Sequence, residues 1–428
     1  MASWGPVSNS ADVAVIGAGA VGASIALELG RRGRQVVVLE QGRGWAAGCS
    51  WGNAGLICPS HAGPWATAQD VGQAARWMLR NDSPLSIRPS AALAPFLGRL
   101  LTARERTVQR VTELSRRMCR DSLALHESMS EQGMDTGFRR AGLLDVYATA
   151  RGLDRGAEGA QRHSQAGVRC TVLDRAEVHA FEPALEQEVS GGVFFPDEAH
   201  CDPAGFVESV GSAAGLVGAT LRTETEVLEM AKVDRGVELT TTTGVVRAGT
   251  VVVAAGAWSG PMSRWLGRAI PLQGGKGYMI DVSNEERRPL KRPLMLQEAR
   301  IAVTPLEGRL RLSGTMQFAG LDESIEPARV AAIRRESMRM LPGWKGATTF
   351  RIWSGLRPCT PDGLPMVGWL REDMSVALAT GHAMLGLTLA PITGKLVADL
   401  LEGSDREELA RLRPDRFDWR HRAARVAR

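Results

Sequence analysis

The sequence predicts an α/β protein made of two domains that interleave along the chain. Three observations predict it. An apolar run at 13–16 passes through Gly17, Gly19 and Gly22 into a helical stretch and then into a second apolar run at 35–39. A late apolar run at 250–256 ends in small residues. Between these runs lie strand-like pieces that suggest a mixed or antiparallel sheet.

The first unit reads ADVAVIGAGAVGASIALELGRRGRQVVVLE over residues 11–40. Val13 to Ile16 suits a buried parallel strand, and Val21, Ile25 and Leu29 recur at helical spacing. The second strand, Gln35 to Leu39, ends in Glu40. Gly17 permits the tight turn, Gly19 lets a pyrophosphate approach the backbone, and Gly22 lets helix and strand pack closely. The N–H groups and dipole of the helix start stabilise phosphate. Glu40 is placed to accept hydrogen bonds from ribose hydroxyls. In a chain with 48 glycines the three glycines alone mean little; the flanking strands, the helix and the acid carry the inference of a dinucleotide site. The unit does not separate NAD from FAD.

Composition sets the bounds. With 428 residues, 44% of them hydrophobic, the chain is long enough for two domains. A net charge of +5 over that length argues against a nucleic-acid partner. Six scattered cysteines without a C-x-x-C pair argue against a zinc site and suit a reducing, cytoplasmic setting; no metal is expected. The start shows no basic region followed by an apolar stretch, and no run of about 18 apolar residues occurs.

Further along, TVVVAAGAWS at 250–259 reads as a buried strand whose small residues would let backbone lie against a cofactor; a core strand with a tight turn explains it equally well. FRIWSGLRPCTPDGLPMVG at 350–368, dense in Gly and Pro, reads as loop. VALATGHAMLGLTLA at 376–390 reads as a strand meeting Gly381 and His382, with a helix starting near Leu385 and running to Leu401.

Taken in order, GAGAVG…VVVLE, SWGNAGLI, PDEAHCDPAGF, VVVAAGAWS, GLRPCTPDGLPMVG and GHAMLGLTLAP resemble the D-amino-acid dehydrogenases, in the wider FAD-dependent group with glycine oxidase, sarcosine oxidase and D-amino-acid oxidase. The resemblance runs from about Asp12 to about Leu401. It implies a Rossmann-like FAD-binding domain (10–60, 200–262, 352–428) interleaved with a substrate domain (61–199, 263–351) built on a mixed or antiparallel sheet plus helices. It implies an FAD-dependent enzyme that oxidises the C–N bond of an amino acid, a D-amino acid first, to an imine that hydrolyses to a 2-oxo acid and ammonia. A quinone or other carrier is the implied electron acceptor.

The resemblance also implies roles. Gly17, Gly19, Ala20, Val21 and Gly22 would lie against the FAD pyrophosphate, with Glu40 and Gln41 at the adenosine ribose. Val227 would pair its backbone with adenine, and Ser50, Asn53, Ala54 and Gly55 would run beside the pyrophosphate and isoalloxazine. Ala255 and Gly256 would lie against the cofactor, and Gly381, His382, Leu385, Gly386, Leu387 and Thr388 at the ribityl chain and pyrimidine edge. Arg357 is the expected substrate clamp, because a guanidinium makes a bidentate pair with a carboxylate. The bland alternative is an Arg bonding loop carbonyls. Tyr278, in GGKGYMI, is the second candidate, a buried sheet tyrosine being the equal alternative. His61, in CPSHAGPW, and His382 are weaker substrate-contact candidates; plain loop and backbone roles are favoured for them, and base catalysis by His382 is not. Lys276 is the one lysine that stays open as an oxygen-activating residue of the sarcosine oxidase kind.

Strands are expected around Gly142–Ala148, Gly192–Phe195, Gly277–Val282, Ile301–Thr304 and Leu310–Thr315, and helices around Ala66–Leu79, Ala91–Gln132 and Pro327–Met340. Seven arginines between Arg99 and Arg120 follow apolar Leu93–Leu101. A solvated helix face is the favoured reading, with peripheral contact on the inner face of a membrane as the alternative. Three other functions share parts of the pattern. The same fold acting on D-hydroxyproline, another secondary amine, glycine or sarcosine would keep every flavin motif. A flavin module of tRNA modification would need a strongly basic groove. A non-catalytic dinucleotide-binding protein would not bleach with any amine.

Overall fold

The computed structural model describes residues 10–63, 83–88, 90, 93–101, 105–185, 188–283 and 290–417. It divides into two compact units. Met1–Trp51, Val207–Gln273 and Pro358–Arg428 form the first; Gly52–Phe206 and Gly274–Arg357 form the second. Every cut differs from the sequence-based bounds given above.

The first unit is built on an eight-stranded sheet. Ser10–Ile16 lies parallel between Val36–Leu39 and Gly244–Val253, and Ala219–Arg222 continues the parallel order beyond Val36–Leu39. Val376–Thr380 runs parallel to the last residues of Gly244–Val253, while Val227–Val233 and Gly236–Thr241 form an antiparallel meander on its first half. Met366–Trp369 closes that end, antiparallel to Val376–Thr380. Ala14, Val15, Val38, Val251, Val252 and Val376 are buried without alternation, as expected for parallel strands covered on both faces. Helices Ala20–Arg31 and Ala390–Leu401 pack against each other in this unit.

The second unit carries a nine-stranded mixed sheet. Its order is Thr349–Cys359, Gln273–Ser283, Arg309–Phe318, Ile301–Leu306, Leu294–Leu296, Leu143–Tyr147, Gly191–Phe195 and Thr171–Asp174, with Leu85–Ile87 added parallel to the end of Arg309–Phe318. Successive side chains on a strand point to opposite faces, and directly paired residues share one. On one face Tyr278, Ile280, Val282, Leu310, Leu312, Ile301 and Val303 form a core with Ile333 and Met338 of helix Pro327–Met340. The other face carries Gly277, Met279, Asp281, Arg311 and Thr304.

That second face holds a buried ion pair. Arg311, 1% exposed, donates from Nε and Nη2 to the two oxygens of Asp281 at 2.8 and 2.9 Å. Its Nη1 donates to the Asn53 carbonyl at 3.0 Å, and Thr304 Oγ1 donates to the Ala54 carbonyl at 2.7 Å. The segment Asn53–Gly55 is thereby fastened to the sheet.

Two expectations need correction. Residues 350–368 are mostly strand: Thr349–Cys359 and Met366–Trp369 flank a short turn. Thr349–Cys359 is an edge strand, where Pro358 costs no ladder bond. The helix expected from Leu385 begins at Ala390; Ala383–Leu385 is a 3-10 turn entered through a left-handed Ala383 (φ 48°), a conformation that cannot start an α-helix. Pro391 instead sits in the first turn of the true helix, where its missing N–H has no partner to lose. In the stretch expected to be helical at Ala91–Gln132, the described residues include helices Leu93–Leu101 and Glu105–Glu131. Leu93, Phe96 and Leu100 of the first are buried in the fold, with Phe96 6.0 Å from Phe318, so this apolar stripe is not offered to a membrane. The helix expected at Ala66–Leu79, Arg104 and the basic tail Arg420–Arg428 lie outside the described residues.

Replacing Arg311 by Leu is expected to lower unfolding stability by about 2–3 kcal/mol, because buried Asp281 loses two charge-assisted hydrogen bonds and keeps, among the described residues, only Arg309 Nε at 3.4 Å. Urea unfolding measures this, and the double variant R311L/D281L should recover part of the loss. A single variant as stable as the parent would show that the pair anchors nothing.

Candidate functional site

The glycine turn of the first unit is built around one contact. Gly17 has φ 105°, and a Cβ there would lie 2.7 Å from the Ala254 carbonyl; a Cβ on Gly22 would lie 1.9 Å from the Gly17 carbonyl. Helix, turn and the end of the late strand therefore meet backbone to backbone, which only glycine allows. The helix begins at Ala20 with Gly19 as its cap, no capping side chain and no acid in its first turn. Ser50 Oγ accepts from the Ala20 N–H at 2.9 Å and lies 3.0 Å from the position of a Gly19 Cβ. Val21 follows, half-buried in the first turn.

Glu40 ends the second strand, nearly buried. Its oxygens accept from the Ala18 N–H and the Gly42 N–H, both at 2.8 Å. Each carboxylate oxygen has a further lone pair for a hydroxyl donor. Gln41 beside it is exposed. Val227 is buried where its strand's register with Thr241 shifts. Ala255 and Gly256 are half-buried; Gly256 opens a 3-10 turn, its α-carbon faces open space, and its carbonyl accepts from Thr380 Oγ1 at 2.9 Å. Gly381 is buried, His382 bridges to Cys359, Leu385 and Gly386 are half-buried, and Leu387 and Thr388 are buried. A helix start whose own cap residue is a bare glycine, an acid poised at the strand end and an open Gly256 are the features a dinucleotide's pyrophosphate, ribose and planar ring require, so these residues fit FAD.

His382 is 2% exposed, its Nε2 lies 3.0 Å from Thr393 Oγ1, and burial pushes its pKa down to about 3. A ring so enclosed meets no substrate. His61 stands in the second unit, with Nδ1 2.7 Å from Ser60 Oγ and Nε2 3.2 Å from Asp145 Oδ1, its edge against Phe195 at 5.3 Å. Burial disfavours its charge, but the Asp145 carboxylate outweighs this and raises its pKa. Both nitrogens are tied within the fold.

Arg357 is half-buried on the edge strand. A Cβ on Gly277 would fall 2.1 Å from its Nη1 and 2.4 Å from its Cζ, so the guanidinium lies directly over that bare α-carbon. Nη1 donates to the Thr315 carbonyl at 2.8 Å. Lys276 pairs with Gln317 and Tyr278 with Gly314, so Thr315 and Met316 together oppose Gly277. This is a β-bulge, and Thr315 takes φ 70°, a strained value for a β-branched residue that turns its carbonyl toward Arg357. Sequence reasoning missed Gly277 and Thr315. The available signal was a glycine inside a strand, which marks a bulge or a close approach.

Tyr278 does not join Arg357. Arg357 lies on the Gly277 side of the sheet, whereas Tyr278 points to the helix-covered core. It is 1% exposed, and its hydroxyl donates to Gln317 Oε1 at 3.0 Å. This geometry answers to the buried sheet tyrosine. Lys276 shares that face; fully buried, its Nζ donates to Asp322 Oδ2 at 3.0 Å and to the Ser324 carbonyl at 2.8 Å. Among the described residues no group of three or more His, Cys, Asp or Glu could hold a metal ion, and no helix is long and apolar enough to cross a membrane.

The family model described as FAD dependent oxidoreductase matches residues 12–400. The chain belongs to that family. As an FAD-dependent oxidoreductase it is 32% identical over 402 residues to a D-amino acid dehydrogenase of Paramagnetospirillum magneticum, covering 91% of this chain and 95% of the relative. It is also 32% identical to a D-amino acid dehydrogenase of Cereibacter sphaeroides, covering 97% of each chain. Among solved structures, glycine oxidase from Geobacillus kaustophilus superposes with a TM-score of 0.77 at 25% identity, covering 94% of this chain and 96% of that one. The FAD cofactor and the α/β flavoenzyme fold of this oxidoreductase follow from that membership.

Replacing Glu40 by Gln is expected to weaken FAD binding about tenfold, by removing a charged acceptor. The flavin-to-protein absorbance ratio after dialysis measures it, and full retention would contradict the role. A second expectation concerns acid. Burial, with Arg116 beside His163 and Arg139 beside His200, lowers both of those histidines to about 4, alongside His382 at about 3. All three stay neutral in the fold, while the unfolded chain takes up protons below about pH 6.5. Their contribution is complete above that pH and is lost as pH falls toward the folded values. The melting temperature should fall between pH 7 and pH 5, and a His382→Asn variant should fall less steeply; equal slopes would refute the assignment.

Proposed function

We propose that this oxidoreductase oxidises the C–N bond of an amino acid, with D-amino acids as the preferred class, to an imine that water converts to a 2-oxo acid and ammonia. The carrying observation is Arg357, a partly exposed guanidinium held flat over Gly277 and oriented by the bulged Thr315 carbonyl. A guanidinium fixed in plane offers paired N–H groups to a carboxylate, which is the common handle of every amino acid. The names of the D-amino acid dehydrogenase relatives and of glycine oxidase support the same substrate class.

In this reading Arg357 binds and orients the carboxylate, and so fixes the direction of the Cα–H bond. Arg311 and Thr304 hold Asn53–Gly55 in place on the same sheet face. Gly17, Gly22 and Glu40 would hold the pyrophosphate and ribose of FAD, which when bound supplies the two-electron acceptor. The amine proton leaves to solvent, since His61 and His382 are both committed within the fold. We further propose a quinone or similar carrier as the final acceptor. Lys276 supports this: its ammonium is enclosed and spent on Asp322 and Ser324.

Anaerobic mixing with D- and L-amino acids, proline derivatives and N-methyl amino acids tests the substrate class. D-amino acids should bleach the flavin fastest, and no bleaching by any of the panel would overturn the proposal. Replacing Arg357 by Ala should raise KM for D-alanine about 10- to 100-fold, the loss of one or two charge-assisted hydrogen bonds. Gly277→Ala should raise it in the same direction by pushing the guanidinium off its seat. An unchanged KM in both would remove the clamp.

A further inference from the structure

Trp353 shares the face of the edge strand that carries Arg357, four residues away with Gly355 between them. Its indole occupies space that two glycines leave open. A Cβ on Gly52 would lie 1.9 Å from Cε3 and 2.1 Å from Cζ3; a Cβ on Gly355 would lie 2.0 Å from Cη2. The six-membered ring is thus wedged between the chain at Gly52 and the strand at Gly355, and remains only half-buried. No other residue type at either position would admit it.

The placement matters because of reach. The outer edge of the ring lies over Gly355, which is about 6.6 Å along the strand from Arg357. The Cβ of an amino acid is two bonds, about 2.5 Å, from its carboxyl carbon. Van der Waals contact adds about 3.5–4.0 Å. Arg357 and the indole stand on the same face of the strand, so a substrate whose carboxylate pairs with the guanidinium over Gly277 can extend its side chain toward the indole. A ring pinned by backbone on both sides has no room to swing as a gate. It is a fixed apolar surface whose ordering cost is already met by the fold.

Resting on the substrate class proposed above, we propose that Trp353 is a specificity-determining residue: its indole is the floor against which the substrate side chain lies, selecting apolar side chains over short or charged ones.

The test uses the FAD-loaded enzyme with a dye acceptor. For Trp353→Ala, kcat/KM should fall at least tenfold for D-leucine and D-phenylalanine and stay within threefold for D-alanine, with the loss mainly in KM. Trp353→Phe should restore much of the preference and guards against a folding defect. Binding gives a readout independent of turnover: calorimetry should show that benzoate loses affinity on Trp353→Ala while acetate does not. An unchanged D-leucine to D-alanine ratio in a variant that retains flavin would overturn the inference, as would a gain for the large substrates, which would make the ring a barrier. If the parent enzyme oxidises no amino acid, the proposed function fails and this inference with it. If the parent turns over and only the ratio is unmoved, the inference fails alone.

Discussion

The second unit depends on the separation of its sheet into two chemically different faces, and one strand enforces it. Along Gln273–Ser283 the residues alternate between Tyr278, Ile280 and Val282, which enter an apolar core, and Gly277, Met279 and Asp281, which do not. Asp281 on the second face commits Arg311, and Arg311 in turn commits the backbone of Asn53. Gly277 on the same face leaves room for Arg357. A register slip of one residue would exchange the two faces and drive the ion pair into the apolar core, so the hydrophobic pattern that makes the sheet also fixes where the guanidiniums stand.

Arg311 is placed by its partners, whereas Arg357 is placed by missing and distorted backbone as much as by a partner. Arg357 rests on an absent side chain and bonds a carbonyl turned by a left-handed threonine. Strain of this kind persists only where surrounding structure over-determines it, and it concentrates at functional positions. The bulge at Thr315–Met316 opposes one residue with two, which is how a strand re-aims a group without breaking the sheet. The first unit works differently. Its turn at Gly17 and its tether at Glu40 use ordinary parallel-sheet geometry, and only close backbone contact sets them apart.

Much of this was legible in the sequence because the signals were local. The strand, turn, helix and strand of 10–40 are contiguous, and strands of the second unit alternate apolar with other residues at the spacing of a sheet. What was not legible depended on partners distant in sequence. Gly355 and Pro358 read as loop, because nothing local says that the strand lies at a sheet edge. Tyr278 stayed open between a substrate contact and a buried sheet tyrosine, because the sequence does not say which face of its strand a helix covers. Arg311 could not be singled out among so many arginines, since its importance lies in Asp281 and in a carbonyl more than 250 residues earlier. The helix start at Ala390 was misplaced because Gly381 and His382 announce a turn but not its length.

The pairing of Gly244–Val253 with Val376–Thr380 has a consequence for synthesis. Ser10–Ile16 and Gly244–Val253 of the nucleotide-binding sheet precede Val376–Thr380 in the chain, so that inner neighbour emerges only after most of the second unit has been made. Until then the end of Gly244–Val253 offers an unpaired apolar edge. Long-range parallel pairing of this sort is slow and prone to association while incomplete. The growing chain therefore carries this edge uncovered until Val376–Thr380 is made.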